Sequence, residues 1–258
     1  MGKLDGKVCI ITGCGSGLGK QFAIRFASEG AKLAICTHNA ERLEVTKKLC
    51  EEKGAEVLAY ACDVADYDEL VKFSKLIIEK YGRVDVLVNN VHHVVLAPFI
   101  DLKYEDLVHD FHVDVGSTWH LMQLLFPYMR DHDGAGASII NFGSRWGQES
   151  PELSGEYSPL KEAVRALSRT VAREWGRYNI RCNIVCPGGF TDNAKNHMNE
   201  QLPEMQKYAM AAFSDNSFHR PGDPYNDVAP VVVFLASDDS HWLSGQTINV
   251  DGGGWMAD

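Results

Sequence analysis

Tyr157 and Lys161 stand four residues apart in Tyr157-Ser158-Pro159-Leu160-Lys161, a stretch that runs into the helical pattern Glu162–Tyr178. On a helix, that spacing puts both side chains on one face. A tyrosine ordinarily titrates near pH 10, too high for a base at neutrality, and a neighbouring ammonium favours its phenolate form. Such a pair could give and take a proton. A tyrosine and a lysine at this spacing are common by chance, so the pair needs context. Pro159 adds a constraint. Proline is tolerated only in a helix's first turn, so the sequence predicts a helix that starts near Glu156 to Ser158, or is kinked there.

A second candidate lies near the start. Thr12-Gly13-Cys14-Gly15-Ser16-Gly17-Leu18-Gly19 follows the apolar run Val8–Thr12 and opens the helical spacing of Leu18–Ser28. Helix N-termini carry free N–H groups and the positive end of the dipole, which favours phosphate. Glycines allow a close backbone approach. Glycines alone are a weak signal, but after a first strand and before a helix they point to a dinucleotide site.

The elements that would position these residues alternate. Strand-like runs at Val8–Thr12, Lys32–Cys36, Glu56–Cys62, Val84–Val88, Ser138–Phe142, Arg181–Cys186 and Thr247–Val250 are separated by helical patterns. The helical patterns after the first are Glu41–Lys53, Tyr67–Tyr81, Tyr104–Asp114, Ser117–Asp131, Glu162–Tyr178 and Asp227–Ala236. This alternation predicts an α/β fold, with a doubly wound, parallel, seven-stranded sheet and helices on both faces. The 258 residues fit one domain, 1–258. Residues 191–224, rich in Met, Asn, Phe and Pro, have no place in the alternation and are expected to form a substrate lid.

Bulk properties exclude several classes. The net charge of −10 gives no counterion-release attraction to nucleic acid or to an anionic membrane surface. No apolar run reaches spanning length, and no signal peptide opens the chain. The seven cysteines include no CxxC pair, and four sit in strand-like runs, which suits a reducing, cytoplasmic setting. No metal is expected. Zinc sites want closely spaced ligand pairs, and the tempting pair, His92–His93, is adjacent and so unsuited to share an ion.

The spacing Thr12-Gly13-xxx-Gly17-x-Gly19 resembles the short-chain dehydrogenase/reductase family, a Rossmann fold, and the likeness can be followed through nearly the whole chain. Asp63-Val64 matches the family's adenine contact. Asn89-Asn90-Val91-His92 matches the first half of its Asn-Asn-Ala-Gly turn. Ser144 takes the place of its serine after the fifth strand, and Tyr157 to Lys161 is its YxxxK. Pro187-Gly188 and Asp251-Gly252-Gly253 complete the series. The resemblance implies an NAD(P)-dependent oxidoreductase interconverting a ketone and a secondary alcohol. Tyr157 would carry the proton, Ser144 would orient the carbonyl oxygen, and Lys161 would also hold the nicotinamide ribose. The family's fourth catalytic position, an Asn, is Asp114 here. Buried near Lys161, that carboxylate would hold the ammonium charged and shift the pH profile.

The cofactor contacts implied are Gly13, Gly15, Ser16, Gly17, Leu18 and Gly19, then Thr37, His38, Arg42, Asp63, Val64 and Asn90. Tyr157, Lys161, Pro187, Gly188, Phe190 and Thr191 complete the set. No acid ends the second strand at Cys36-Thr37-His38-Asn39. An acid there would grip the ribose diol of NAD, so Thr37, His38 and Arg42 favour NADP(H), with NAD(H) the alternative. Substrate candidates are Ser144, Trp146, His92 and Phe190, with Arg145, Met198, Met205, Met210 and Phe213 beside them. A Met- and aromatic-rich wall suits a bulky apolar ketone, and the pattern resembles bacterial hydroxysteroid dehydrogenases. Small ketones, sugars and 3-oxoacyl thioesters are alternative substrates. A catalytically weak nucleotide-sensing protein is the alternative class. The family implies a homodimer or homotetramer. Met122, Leu125, Phe126, Leu167, Val171 and Trp175 are candidates for the subunit contact, or else for the intramolecular core.

Overall fold

Val8–Thr12 is buried at every position and forms β1, the strand around which the fold is built. Side chains alternate across a strand. Cys9 and Ile11 therefore enter one core with Phe22 and Phe26, while Val8 and Ile10 enter another with Phe73, Ile77 and Leu125. A strand covered on both faces needs no polar side, which explains its unbroken apolar sequence. Truncating such a residue, Ile11→Ala for example, costs about 2–5 kcal/mol.

The computed structural model describes residues 2–130, 136–199, 210–211 and 213–256. In chain order the main elements are β1, α1 (Gly17–Ser28), β2 (Lys32–Thr37), α2 (Ala40–Glu51), β3 (Val57–Ala61), α3 (Tyr67–Tyr81) and β4 (Val86–Asn89). Then come α4 (Tyr104–Phe111), α5 (Ser117–Arg130), β5 (Ala137–Phe142), α6 (Arg145–Glu149), α7 (Tyr157–Trp175) and β6 (Ile180–Pro187). The series ends with α8 (Asp192–Asn199), α9 (Ala229–Ala236) and β7 (Thr247–Val250). The seven strands pair in parallel in the order β3-β2-β1-β4-β5-β6-β7. This is the expected α/β Rossmann architecture. The strand order reverses between β1 and β4, so the crevice at their C-terminal ends is where a ligand fits.

Local chemistry fixes the helix starts. Asn39 Oδ1 accepts from the Arg42 N–H at 2.9 Å, and Asp66 Oδ1 accepts from the Asp68 and Glu69 N–H groups. The helix carrying Tyr157 begins at Tyr157 itself, so Pro159 falls in the first turn, as its missing N–H requires.

Strand ends shift by one or two residues, and two helical stretches differ in kind from the expected pattern. The patterns Tyr104–Asp114 and Ser117–Asp131 suggest two helices, but α4 and α5 are one run joined by a π-helical turn, His112–Gly116. The extra residue in that turn shifts the phase of the apolar repeat, which mimics a break. Similarly, Asp227–Ala236 reads as one helix, whereas a π-helical turn, Pro224–Val228, precedes α9.

Candidate active site

The crevice is assembled from the ends of β1, β4, β5 and β6. Asn90 ties two of them together. Its N–H donates to Thr12 Oγ1 at 3.0 Å, and its Nδ2 donates to the Thr12 carbonyl at 3.1 Å. The glycine turn wraps over this junction. A Cβ on Gly19 would lie 2.3 Å from the Gly13 carbonyl oxygen and 2.6 Å from Asn90 Nδ2. Only glycine lets α1 start so close to the turn. Ser16, the N-cap of α1, makes no side-chain cap bond, so that helix end keeps its N–H groups for another partner.

A cleft of about 690 Å³ runs from this helix end along Gly13, Gly15, Ser16, Gly17 and Leu18 to Thr37, His38 and Arg42. It continues past Asp63, Val64 and Asn90 to His92 and Thr191. Most of the expected cofactor residues therefore line one continuous cavity. Val91 of the Asn89-Asn90-Val91-His92 turn also lines it, as do His109, Val113 and Asn193, which carried no sequence signal. Asn193 Nδ2 donates to Ser16 Oγ at 3.0 Å, joining α8 to the glycine turn. An uncapped helix end, a turn without side-chain bulk and an elongated polar-and-apolar trough fit a dinucleotide.

Beside it, a second cavity of about 300 Å³ is lined by His92, Ser144, Trp146, Tyr157, Pro187 and Gly188, among others. Tyr157 is the first residue of α7, and its ring has Trp146 and His92 edge-on at 6.4 and 6.2 Å. Ser144 Oγ accepts from the Trp146 N–H at 3.1 Å, which leaves its own hydrogen free to donate. Val94, Leu96 and Phe213 add apolar wall, and Arg145, Asp215 and Asp251 add charge. Phe190 is not in the lining of this cavity but packs on Phe213, the ring centroids 4.6 Å apart and the rings tilted at 56°. Met198 is buried and Met210 is exposed. Met205 lies outside the described residues, as do 200–209 and 212 of the expected lid.

Lys161 lies one turn into α7 and is almost wholly buried. Its Nζ is 5.5 Å from the Tyr157 ring centroid and donates to the Phe142 carbonyl at 3.2 Å. It also donates to Asp114 Oδ1 at 3.2 Å and lies 2.9 Å from Oδ2. Burial alone would lower the lysine pKa, but the Asp114 and Tyr157 side chains outweigh it and leave it raised, so the ammonium stays charged. Burial raises Asp114 in turn, and Lys161 pulls it back. Asp114 reaches the lysine from the π-helical turn, and turns of this kind gather at functional sites.

His92 is exposed at the mouth of both cavities yet walled by protein. The surrounding protein and the charge of Lys161 push its pKa below the ordinary imidazole value. The segment Val91–His92, standing where the family has Ala-Gly, needs no positive φ, so the missing glycine is tolerated. Just ahead of Tyr157, Glu156 is buried, and its Oε2 accepts from the Val95 N–H at 3.2 Å. Burial pushes Glu156 up to about 7; the Val95 bond opposes this, and the facing Asp110 adds to it. No sequence pattern marked these two acids as interior.

The family described as enoyl-(acyl carrier protein) reductase matches residues 13–254. The chain belongs to the short-chain dehydrogenase/reductase family. It is 36% identical over 252 residues to the 3-oxoacyl-(acyl-carrier-protein) reductase of Thermotoga maritima, covering 97% of this chain and 98% of that one. The crystal structure of levodione reductase superposes with a TM-score of 0.90 at 30% identity, covering 96% and 97% of the two chains. A 7α-hydroxysteroid dehydrogenase complexed with NADH and 7-oxo glycochenodeoxycholic acid superposes with a TM-score of 0.87 at 34% identity, covering 98% and 96%. The chain is an NAD(P)-dependent oxidoreductase of alcohol and carbonyl groups.

Proposed function

We propose that this chain interconverts a bulky, largely apolar ketone and its secondary alcohol, with Tyr157 carrying the proton. The observation that supports this most is the placement of Tyr157 on the wall of the smaller cavity, with Ser144 beside it and the buried ammonium of Lys161 one turn behind. A bound nicotinamide supplies or takes the hydride. During reduction Tyr157 gives its phenolic proton to the substrate oxygen, and during oxidation it takes the proton back. Ser144 donates a hydrogen bond that orients the same oxygen. Lys161 holds positive charge near the phenol and would bind the nicotinamide ribose. Val94, Leu96, Trp146 and Phe213 offer apolar surface to a polycyclic substrate such as a steroid. The likeness to the 7α-hydroxysteroid dehydrogenase supports that size class.

NADP(H) is the favoured cofactor. Thr37, His38 and Arg42 stand together on the cleft wall. The segment 191–224 is proposed as the lid, its base pinned where the Phe190 N–H donates to the Gly222 carbonyl at 2.7 Å. All seven cysteines are buried and free, which supports a cytoplasmic setting. Among the described residues no helix is long and apolar enough to cross a membrane.

Nicotinamide absorbance with a panel of steroidal, acyl-thioester and small ketones tests the reading. Turnover of the bulky ketones is expected, and Tyr157→Phe should lower kcat by roughly 100- to 10,000-fold with dinucleotide affinity preserved. Intact dinucleotide binding without turnover of any ketone would replace the enzyme with a sensor. The ratio of kcat/KM with NADPH to that with NADH should fall in Arg42→Ala.

A further inference from the structure

We propose that His93, His109 and Asp110 form a binding site for a divalent metal ion of the zinc type on the flank of the active site. His93 comes from the segment after β4, and His109 and Asp110 are neighbours on α4. One ligand atom from each lies within 4.8 Å of the others. His93 Nδ1 is 2.8 Å from Asp110 Oδ1, and His109 Nε2 is 3.9 Å from the same oxygen. The imidazole rings stand 5.7 Å apart and nearly perpendicular. Tetrahedral zinc has bonds of about 2.0–2.1 Å, which puts neighbouring ligand atoms about 3.3 Å apart. The observed separations bracket that value. Both histidine side chains are more than half exposed, at 55% and 60%, so ring rotation can complete the geometry without moving backbone.

A second observation points to a cation. Asp110 is wholly buried, and among the described residues no N–H or hydroxyl donates to its Oδ2. Glu156 faces it, also buried and close enough for the two carboxyls to share a hydrogen bond when one is protonated, and among the described residues no N–H or hydroxyl donates to its Oε1. Buried carboxylate oxygens are rarely left so, because each loses its hydration without replacement. Once both are ionised, two such groups side by side repel unless positive charge lies between or beside them. A dication held by Asp110 would supply it, with Glu156 behind as an outer partner. Two imidazoles and one carboxylate suit zinc, cobalt, nickel or copper, whereas magnesium and calcium prefer oxygen alone. The exposed side leaves a fourth position for water.

The sequence argues against a metal at His92–His93, because adjacent side chains diverge. They do diverge here: His92 turns to Tyr157 and His93 to α4. The partners of His93 come from sixteen and seventeen residues on. An ion there would clamp the segment after β4 onto α4.

The test uses the untagged full-length chain, stripped with chelator and then equilibrated with zinc chloride and dialysed. One zinc per chain is expected by elemental analysis. Cobalt chloride should give the visible bands of a tetrahedral ion. Tm should rise by roughly 5 °C at a hundredfold excess of zinc over Kd. His93→Gln with His109→Gln, both at exposed side chains, should fold normally and weaken zinc binding at least tenfold. His241→Gln, on an exposed histidine elsewhere, should leave it unchanged. Uptake well below one zinc per chain would overturn the site, as would equal uptake by the double variant and the parent. Either result would reduce the cluster to a His93–Asp110 hydrogen bond.

Discussion

At Lys161 two opposing effects meet, and their balance can be read from one substitution. Burial disfavours the ammonium, and Asp114, with smaller help from Tyr157, overrides burial. A lysine pKa raised above its ordinary value means that positive charge is held throughout the neutral range and lost only as pH rises through that raised value. Asp114→Asn keeps a hydrogen-bond acceptor but removes the negative charge, so burial regains ground and the lysine pKa falls. The alkaline limb of kcat should then move to lower pH than in the parent, in a profile taken from pH 7 to 11. Superimposable limbs would show that Asp114 does not set the charge state of Lys161. Asp114→Ala goes further and strands a buried ammonium, and breaking a buried pair in this way costs about 3–5 kcal/mol. It should therefore lose activity and stability together, while Asp114→Asn mainly shifts the profile. The carboxylate at this position was legible in the sequence by counting along the helix, and so was its lysine partner. Glu156 and Asp110 were not, because charged residues are rarely buried and nothing local marks an exception.

Among elements, the strands were the easiest to read and the α4–α5 run the hardest. A strand covered on both faces announces itself by a run of buried apolar residues, as Val8–Ile11 and Val86–Val88 do. The π-helical turn at His112–Gly116 is invisible to a 3.6-residue repeat, yet it is the turn that presents Asp114. The start of α7 was legible for the opposite reason, since Pro159 permits few alternatives. The meeting of α1 with the glycine turn is a prediction at this scale. In Gly19→Ala the added carbon meets backbone at Gly13, so the helix end must move outward. The expected loss is about 1–3 kcal/mol of stability, or a few degrees in Tm. Because the N–H groups of α1 move with the helix, the Kd for NADPH should weaken at least tenfold. Gly176→Ala is the control: a Cβ there meets nothing within 4 Å, and the backbone is helical. Equal effects of the two substitutions on NADPH affinity would refute the close-approach argument.

For the whole molecule, the self-association that the family resemblance implies can be argued from what the single chain leaves uncovered. The expected contact residues divide: Met122, Leu125 and Val171 are in the core, and Phe126 packs on Trp175 at 4.5 Å within the chain. The uncovered apolar surface lies elsewhere on the same helical run. Tyr104, Val108 and Phe111 are exposed at a spacing of four and three residues, one face of α4, and Trp119 is exposed on α5. Large exposed apolar groups gathered in this way mark contact surfaces. In a two-fold dimer such a face meets its own copy, so one charge introduced on it becomes two facing charges. Light scattering should give a mass that is a multiple of 28.6 kDa for the parent chain. Phe111→Glu combined with Trp119→Glu should bring it toward a single chain. The run that carries these residues outward also carries Asp114 inward to Lys161. Dissociation should therefore lower kcat more than it weakens dinucleotide binding, because α4–α5 would lose an outer support next to the proton-transfer group. A single-chain mass in the parent, or a dissociated variant with unchanged kcat, would separate assembly from the chemistry.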